Sequence, residues 1–262
     1  MHLVVAADIA PLLSGAWFPE LFTPWVTAAA FAGREKVAVY LGAANGDHPD
    51  MFSMYEAVAA RVGIHRCIHV KERATPADVV LIRDRAALVI LASGDPHRAW
   101  RSFVATGIDA ALTYAIRAGC PALGVSAGAI NLGTHGFTMP GEPIGAESAE
   151  APYKSLGLFP FAAGAHEEAE RWAALRAALA LLTQRGEACV GLGLPYGSAV
   201  ALHPDGTLEV GRRDPGSPAG PMPSPVHIRS KTEDALLAPG TRWRVTRGEQ
   251  GGGAAELAPC AQ

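Results

Sequence analysis

Cys120-Pro121-Ala122-Leu123-Gly124-Val125-Ser126-Ala127-Gly128-Ala129-Ile130-Asn131-Leu132-Gly133 is the stretch on which the reading of this chain turns. The apolar run from Pro121 to Val125 has the length and composition of a buried strand, and the small residues after it suit a helix. Between them stands Gly124-Val125-Ser126-Ala127-Gly128, a G-x-S-x-G pattern read as strand, sharp turn and helix. A serine at such a turn is pushed out at the carboxyl end of the sheet, and the flanking glycines remove the Cβ clashes of the tight geometry. Five residues of this kind also occur by chance, so the setting decides what Ser126 is.

Outward from that turn, strand and helix signals alternate. Upstream, His2 to Ala7 and Lys36 to Ala43 read as strands, with a helix from Trp25 to Ala32 between them and turn chemistry at Ala44-Asn45-Gly46-Asp47. Asp50 to Val62 has helical spacing and ends at Gly63, Ile64 to Val70 reads as a strand, and Thr75-Pro76 opens a helix. Ala86 to Ala92 is a continuous apolar run that ends at Ser93-Gly94-Asp95, and one long helical pattern spans His97 to Ala118. Downstream, Thr134 to Tyr153 is irregular and holds His135, Glu142, Glu147 and Glu150. Leu156 to Ala162 has strand character, His166 precedes an amphipathic helix from Glu167 to Thr183, and Ala188 to Leu194 and Ala199 to Leu202 are strands. His203-Pro204-Asp205-Gly206 is a hairpin turn, Trp243 to Thr246 a last strand, and Gly251 to Gln262 a loose tail. The alternation implies an α/β fold with a doubly wound, mostly parallel sheet and a C-terminal β extension. It is read as one domain over 1–262 whose segment from about 212 is loop-rich, with ligands bound beyond the carboxyl ends of the strands.

Composition narrows the function. A hydrophobic share of 49% against 18% charged residues is that of a folded globular chain, and a net charge of -3 with no Lys/Arg run argues against nucleic acid as a partner. The apolar N-terminus lacks a basic flank and is broken by Asp8, and no apolar run is long enough to span a membrane, so a cytoplasmic protein with no membrane partner is expected. Cys67, Cys120, Cys189 and Cys260 share no C-x-x-C spacing and read as buried free thiols. His2, His48, His65, His69 and His203 lack metal-like spacing. Neither metal nor cofactor is expected.

Taken together, Ser93-Gly94-Asp95, Gly124 to Ala129, and Leu156-Gly157-Leu158-Phe159-Pro160 followed six residues later by His166 resemble the serine peptidase family containing peptidase E and cyanophycinase. The likeness runs from about Val37 to Leu202. The resemblance implies a flavodoxin-related, class I glutamine amidotransferase-like fold with a nucleophile elbow. It implies Ser126 as nucleophile, His166 as general base and the N–H groups of Gly94 and Ala127 as oxyanion donors. In the peptidase E branch the third member is an acid before a Pro-Ile pair, which points to Glu142 at Glu142-Pro143-Ile144, with Glu147 second. In the cyanophycinase branch it is a glutamate in the strand turn after the histidine, where this chain reads Leu194-Pro195-Tyr196-Gly197. Family members also often carry Phe after the histidine and arginines in the following helix, where this chain has Glu167-Glu168 and a displaced Arg171 and Arg176.

A serine hydroxyl becomes a useful nucleophile when a neutral imidazole, oriented by a carboxylate, takes its proton. The expected activity is therefore cofactor-free hydrolysis of a small peptide substrate, of exopeptidase or dipeptidase type. The alternatives are cyanophycinase-like cleavage of β-Asp-Arg peptides and an inactive relative that binds a peptide or partner. Asp95, His97, Arg98, Arg171 and Glu147 are candidate substrate contacts, each with a competing reading as a cap or a solvated ion pair, and His135 is a rival base. A homodimer is compatible with the sequence.

Overall fold

The computed structural model describes residues 1–14, 17–137, 152–167, 169–187, 189–211, 226–229, 234–247 and 255–260. In chain order the strands are β1 (Leu3–Ala6), β2 (Glu35–Leu41), β3 (Cys67–Val70), β4 (Ala86–Leu91), β5 (Ala122–Val125), β6 (His135–Gly136), β7 (Tyr153–Lys154), β8 (Ala162–Ala165), β9 (Gly191–Leu194), β10 (Ala199–Leu202), β11 (Thr207–Val210), β12 (Val226–Arg229), β13 (Asp234–Leu237), β14 (Arg242–Arg247) and β15 (Ala255–Pro259). The helices are α1 (Ala10–Leu13), α2 (Trp17–Phe31), α3 (Pro49–Arg61), α4 (Pro76–Val80), α5 (Pro96–Thr106), α6 (Ile108–Arg117), α7 (Ala127–Leu132) and α8 (Ala173–Gln184).

The apolar runs form the centre of a sheet ordered β15-β14-β11-β10-β1-β5-β4-β2-β3. β1, β5, β4, β2 and β3 are parallel to one another, and the four strands on the other side of β1 pair antiparallel. Every residue of β1, β4 and β5 is buried, as expected of parallel strands covered on both faces. A second sheet, β13-β12-β9-β8, joins β8 and β9 in parallel. Helix α7 packs against both β5 and β8, and so lies between the two sheets.

Several boundaries differ from the sequence reading, each for a visible reason. The long helix over His97–Ala118 is two helices, because Gly107 stands between them at φ +77° and supplies the left-handed turn. Helix α2 starts eight residues before Trp25 and carries Pro24 inside it, with Phe18, Phe22 and Trp25 stacked along its buried face. Leu156–Phe161 is irregular, with Leu156, Leu158, Phe159 and Phe161 buried. The N–H groups of Leu156, Gly157, Leu158 and Phe159 bond to carbonyls of Asn131, Gly133 and Leu132 at the end of α7 instead of to a neighbouring strand. The last residues are not a loose tail throughout, since Ala255–Pro259 pairs with β14 as an edge strand. All four cysteines are free, but only Cys120 is fully buried.

Candidate active site

Ser126 follows β5 directly and precedes the first residue of α7. Its backbone sits at φ 50°, ψ −107°, a region an L-residue rarely adopts and one that costs about 1–3 kcal/mol. Two glycines permit it by close approach. A Cβ on Gly124 would lie 2.5 Å from the Gly128 carbonyl oxygen, and one on Gly128 would lie 2.2 Å from the Leu91 carbonyl oxygen. The Ser126 N–H donates to Ala6 O at 2.9 Å, which ties the turn to the end of β1.

Two independent features bring His166 to the same end of the molecule. The Thr134 N–H donates to Phe161 O at 3.0 Å, so the end of α7 lies beside the start of β8, and β8 runs parallel to β9 with Ala165 opposite Leu194. The end of β8, with His166 directly after it, therefore lies at the turn that follows β9. The second feature is the turn Pro195–Ser198. The Ala7 N–H donates to Ser198 O at 2.9 Å beside the Ser126 anchor, while the Tyr196 ring lies 5.5 Å from the His166 imidazole.

His166 is itself at φ 59°, and its N–H donates to Leu194 O at 3.1 Å. Its Nδ1 is buried and has no hydrogen-bond partner among the described residues. An imidazole oriented for proton transfer takes its acid at this kind of position. Glu142 and Glu147 lie outside the described residues. The adjacent Glu167 is committed elsewhere: it is 2% exposed, and its two oxygens accept the N–H groups of Ala174 at 2.9 Å and Leu175 at 3.1 Å. It closes the first turn of α8, which is why that helix starts at Ala173, six residues later than its sequence pattern. Burial pushes its carboxyl up from the ordinary range, against the pull of those N–H groups.

Gly94 lies three residues past Leu91 of β4 and Ser126 two past Gly124 of β5, and Leu91 and Gly124 are paired in register. Gly94 has φ +130°, and a Cβ there would stand 2.3 Å from Ala44 O, so the position needs glycine on both counts. Its N–H donates to no backbone carbonyl among the described residues, and the Ala127 N–H lies in the first turn of a helix, where no intrahelical acceptor exists. Tyr55 holds the neighbouring Ser93, whose N–H donates to Tyr55 Oη at 3.4 Å. Burial pushes that phenol up to about 12.

The remaining candidates separate. Asp95 caps α5, its Oδ1 accepting the N–H groups of His97 and Arg98 at 2.8 and 3.1 Å. Arg98 is bound to Glu72, with Nη2 to Oε2 at 2.6 Å. His97 packs edge-on to Tyr153 at 5.3 Å. Arg171 is exposed in a left-handed backbone conformation just before α8. His135 bonds to Glu187 at 3.0 Å. Cys120 is buried at the start of β5, where burial pushes its thiol up to about 12, so it has none of the thiolate character of a nucleophile. A groove of about 670 Å³ along α6, lined by Trp100, Asp109, Thr113, Tyr114, Arg117 and Leu156 among others, includes none of the residues of the serine turn.

The sequence model of peptidase family S51 matches residues 18–210, from the second residue of α2 to the end of β11. The chain belongs to peptidase family S51. It is accordingly a serine-type peptidase, and the likeness to the peptidase E family drawn from its motifs holds. Two solved structures share the fold. A peptidase from an acI-B1 Actinobacterium superposes with a TM-score of 0.66 at 18% identity, over 92% of this chain and 95% of that one. A putative peptidase E protein from Listeria monocytogenes EGD-e superposes with a TM-score of 0.57 at 14% identity, over 81% of this chain and 98% of that one. No curated protein matches the chain in sequence. Among the described residues of this S51 chain no helix is long and apolar enough to cross a membrane.

The sequence reading passed over two residues beside the serine turn. Asp8 stands just past the end of β1, with Oδ1 accepting the Ala10 N–H at 2.7 Å and Oδ2 the Gly197 N–H at 2.5 Å. Tyr196 lies against His166. The signal that would have found Asp8 is its place: a carboxylate immediately beyond a buried parallel strand.

Proposed function

We propose that this S51 peptidase hydrolyses short peptides, as an exopeptidase or dipeptidase, through an acyl-enzyme on Ser126. Ser126 Oγ attacks the peptide carbonyl while His166 Nε2 takes its proton. The N–H groups of Gly94 and Ala127 receive the charge that develops on the carbonyl oxygen, and the imidazolium then protonates the leaving amine. Water, deprotonated by the same imidazole, cleaves the ester and restores the hydroxyl. Glu142 or Glu147 supplies the carboxylate at His166 Nδ1.

The observation that carries this reading is the backbone of Ser126, held at positive φ between a buried strand and a helix start that only glycines allow. Strain of that kind persists where the surroundings over-determine it and fits a nucleophile elbow. The buried Nδ1 of His166, unpartnered among the described residues, supports an acid at that side. The test is a panel of Asp-X dipeptides, β-Asp-Arg and longer peptides with free or blocked ends, assayed with the wild type and Ser126→Ala. Cleavage of free-ended short peptides that vanishes in Ser126→Ala is expected. Equal rates on blocked-end peptides would overturn the exopeptidase assignment, and a preference for β-Asp-Arg would favour the cyanophycinase-like alternative.

A further inference from the structure

We propose that Asp8 is a positioning residue of the peptidase site: its carboxylate fixes the Pro195–Ser198 turn and, through Tyr196 on that turn, the pose of the His166 imidazole. The inference rests on the reading of His166 as the base. Asp8 binds two backbone donors far apart in the chain, Ala10 N–H through Oδ1 at 2.7 Å and Gly197 N–H through Oδ2 at 2.5 Å. The turn is otherwise closed by the Ser198 N–H to Pro195 O at 3.0 Å and joined to β1 by the Ala7 N–H to Ser198 O at 2.9 Å. Tyr196 is 55% exposed, and its ring lies 5.5 Å from His166 at an interplanar angle of 48°. The imidazole's own backbone is bound only one residue before the turn, at Leu194 O.

The chemistry calls for a carboxylate at this point. Each oxygen takes a different N–H, and charge-assisted bonds of this kind are roughly twice as strong as neutral ones. Asparagine offers one acceptor oxygen, and its amide NH2 would confront the second donor. Asp8→Asn therefore keeps one bond, to the Ala10 N–H two residues away, and releases the distant turn. A freed turn lets the Tyr196 ring leave His166, and the imidazole loses the wall that sets its orientation toward Ser126.

The experiment measures the second-order rate of Ser126 phosphonylation by a fluorophosphonate across pH, for the wild type, Asp8→Asn, Tyr196→Ala, the double variant and His166→Ala, with thermal melting as the folding check. Phosphonylation reads activation of the serine without a contribution from peptide binding. Asp8→Asn and Tyr196→Ala are each expected to slow it by about 10- to 100-fold, the loss typical of a reacting group displaced by about 1 Å. The acid limb of the pH profile should move in both, and the double variant should lose no more than the worse single one, because both act through one turn. A wild-type rate and pH profile in Asp8→Asn, or losses that multiply in the double variant, would overturn the proposal. Should Asp8→Asn not fold, a wild-type rate in Tyr196→Ala overturns it equally. A fast His166→Ala would instead refute the base assignment, whereas a slow His166→Ala beside a normal Asp8→Asn removes Asp8 alone.

Discussion

Replacing Gly128 with alanine tests whether the packing of α7 against β4 sets the position of Ser126. The new methyl carbon would stand 2.2 Å from Leu91 O, 2.7 Å from Leu91 C and 2.8 Å from Leu91 Cβ. Non-bonded heavy atoms settle near 3.5–4.0 Å, so α7 has to withdraw from β4 by about 1 Å or more. The carbonyl cannot swing aside cheaply, because Leu91 is held in register with both Leu41 and Gly124. Overpacking of this kind costs about 1–3 kcal/mol of stability. A 1 Å displacement of a reacting group costs about 100-fold in rate, and the second loss is the informative one. Leu112→Ala is the control: it empties a fully buried core position on α6 and should cost about 2–5 kcal/mol while leaving the serine turn in place. Both variants would be assayed below their melting temperatures for the rate of phosphonylation at Ser126. The account expects Gly128→Ala to be slow and Leu112→Ala to be normal, although the latter is the less stable protein. A wild-type rate in folded Gly128→Ala would refute the argument that glycine contact at β4 positions the nucleophile.

Three further outcomes follow from the same geometry. Gly94→Ala meets Ala44 O at 2.3 Å in a backbone region alanine avoids; with Gly94 as the proposed oxyanion donor, peptide turnover should fall by about 100- to 1,000-fold with a smaller change in KM. Glu209 accepts from His203, from Trp17 Nε1 and from Arg242, which hold its carboxyl down to about 2. The fold favours its charged form, so this stabilisation is present above the ordinary 4.5 and drains away as pH falls from there toward 2. It amounts to about 3 kcal/mol, visible as a steeper acid loss of melting temperature in wild type than in Glu209→Gln. Glu167→Ala strips the acceptors from the N–H groups of Ala174 and Leu175 and should lower stability by about 1–2 kcal/mol in denaturant titration. Because burial raises the Glu167 carboxyl, its protonated form is favoured in the fold, and its own contribution should weaken as pH rises above about 4.5.

Buried parallel strands announce themselves in sequence, and so β1, β2, β4 and β5 and the turn at Ser126 were legible from apolar runs and punctuation alone. What was not legible depended on partners distant in the chain. Leu156–Phe161 carries the composition of a strand, but its donors are spent on the end of α7, a choice no local pattern encodes. Helix α8 looked longer because Glu167 fits an amphipathic pattern, whereas its carboxylate folds back to cap the helix that follows. Ala255–Pro259 becomes a strand only because β14 offers it an edge. Within the proposed site, Ser126 and His166 each had a motif. Asp8 and Tyr196 had none, since the contact joining Asp8 to Gly197 links residues 189 apart and appears only when β1 and the turn after β9 meet.

The central claim, that Ser126 is a nucleophile activated by His166, is tested most directly by mass-spectrometric mapping of a fluorophosphonate adduct with rates compared between wild type and His166→Ala. The account predicts one stoichiometric adduct, on Ser126, formed at least about a thousandfold more slowly without the imidazole. An adduct on another residue, no adduct at all, or an undiminished rate in His166→Ala would contradict it.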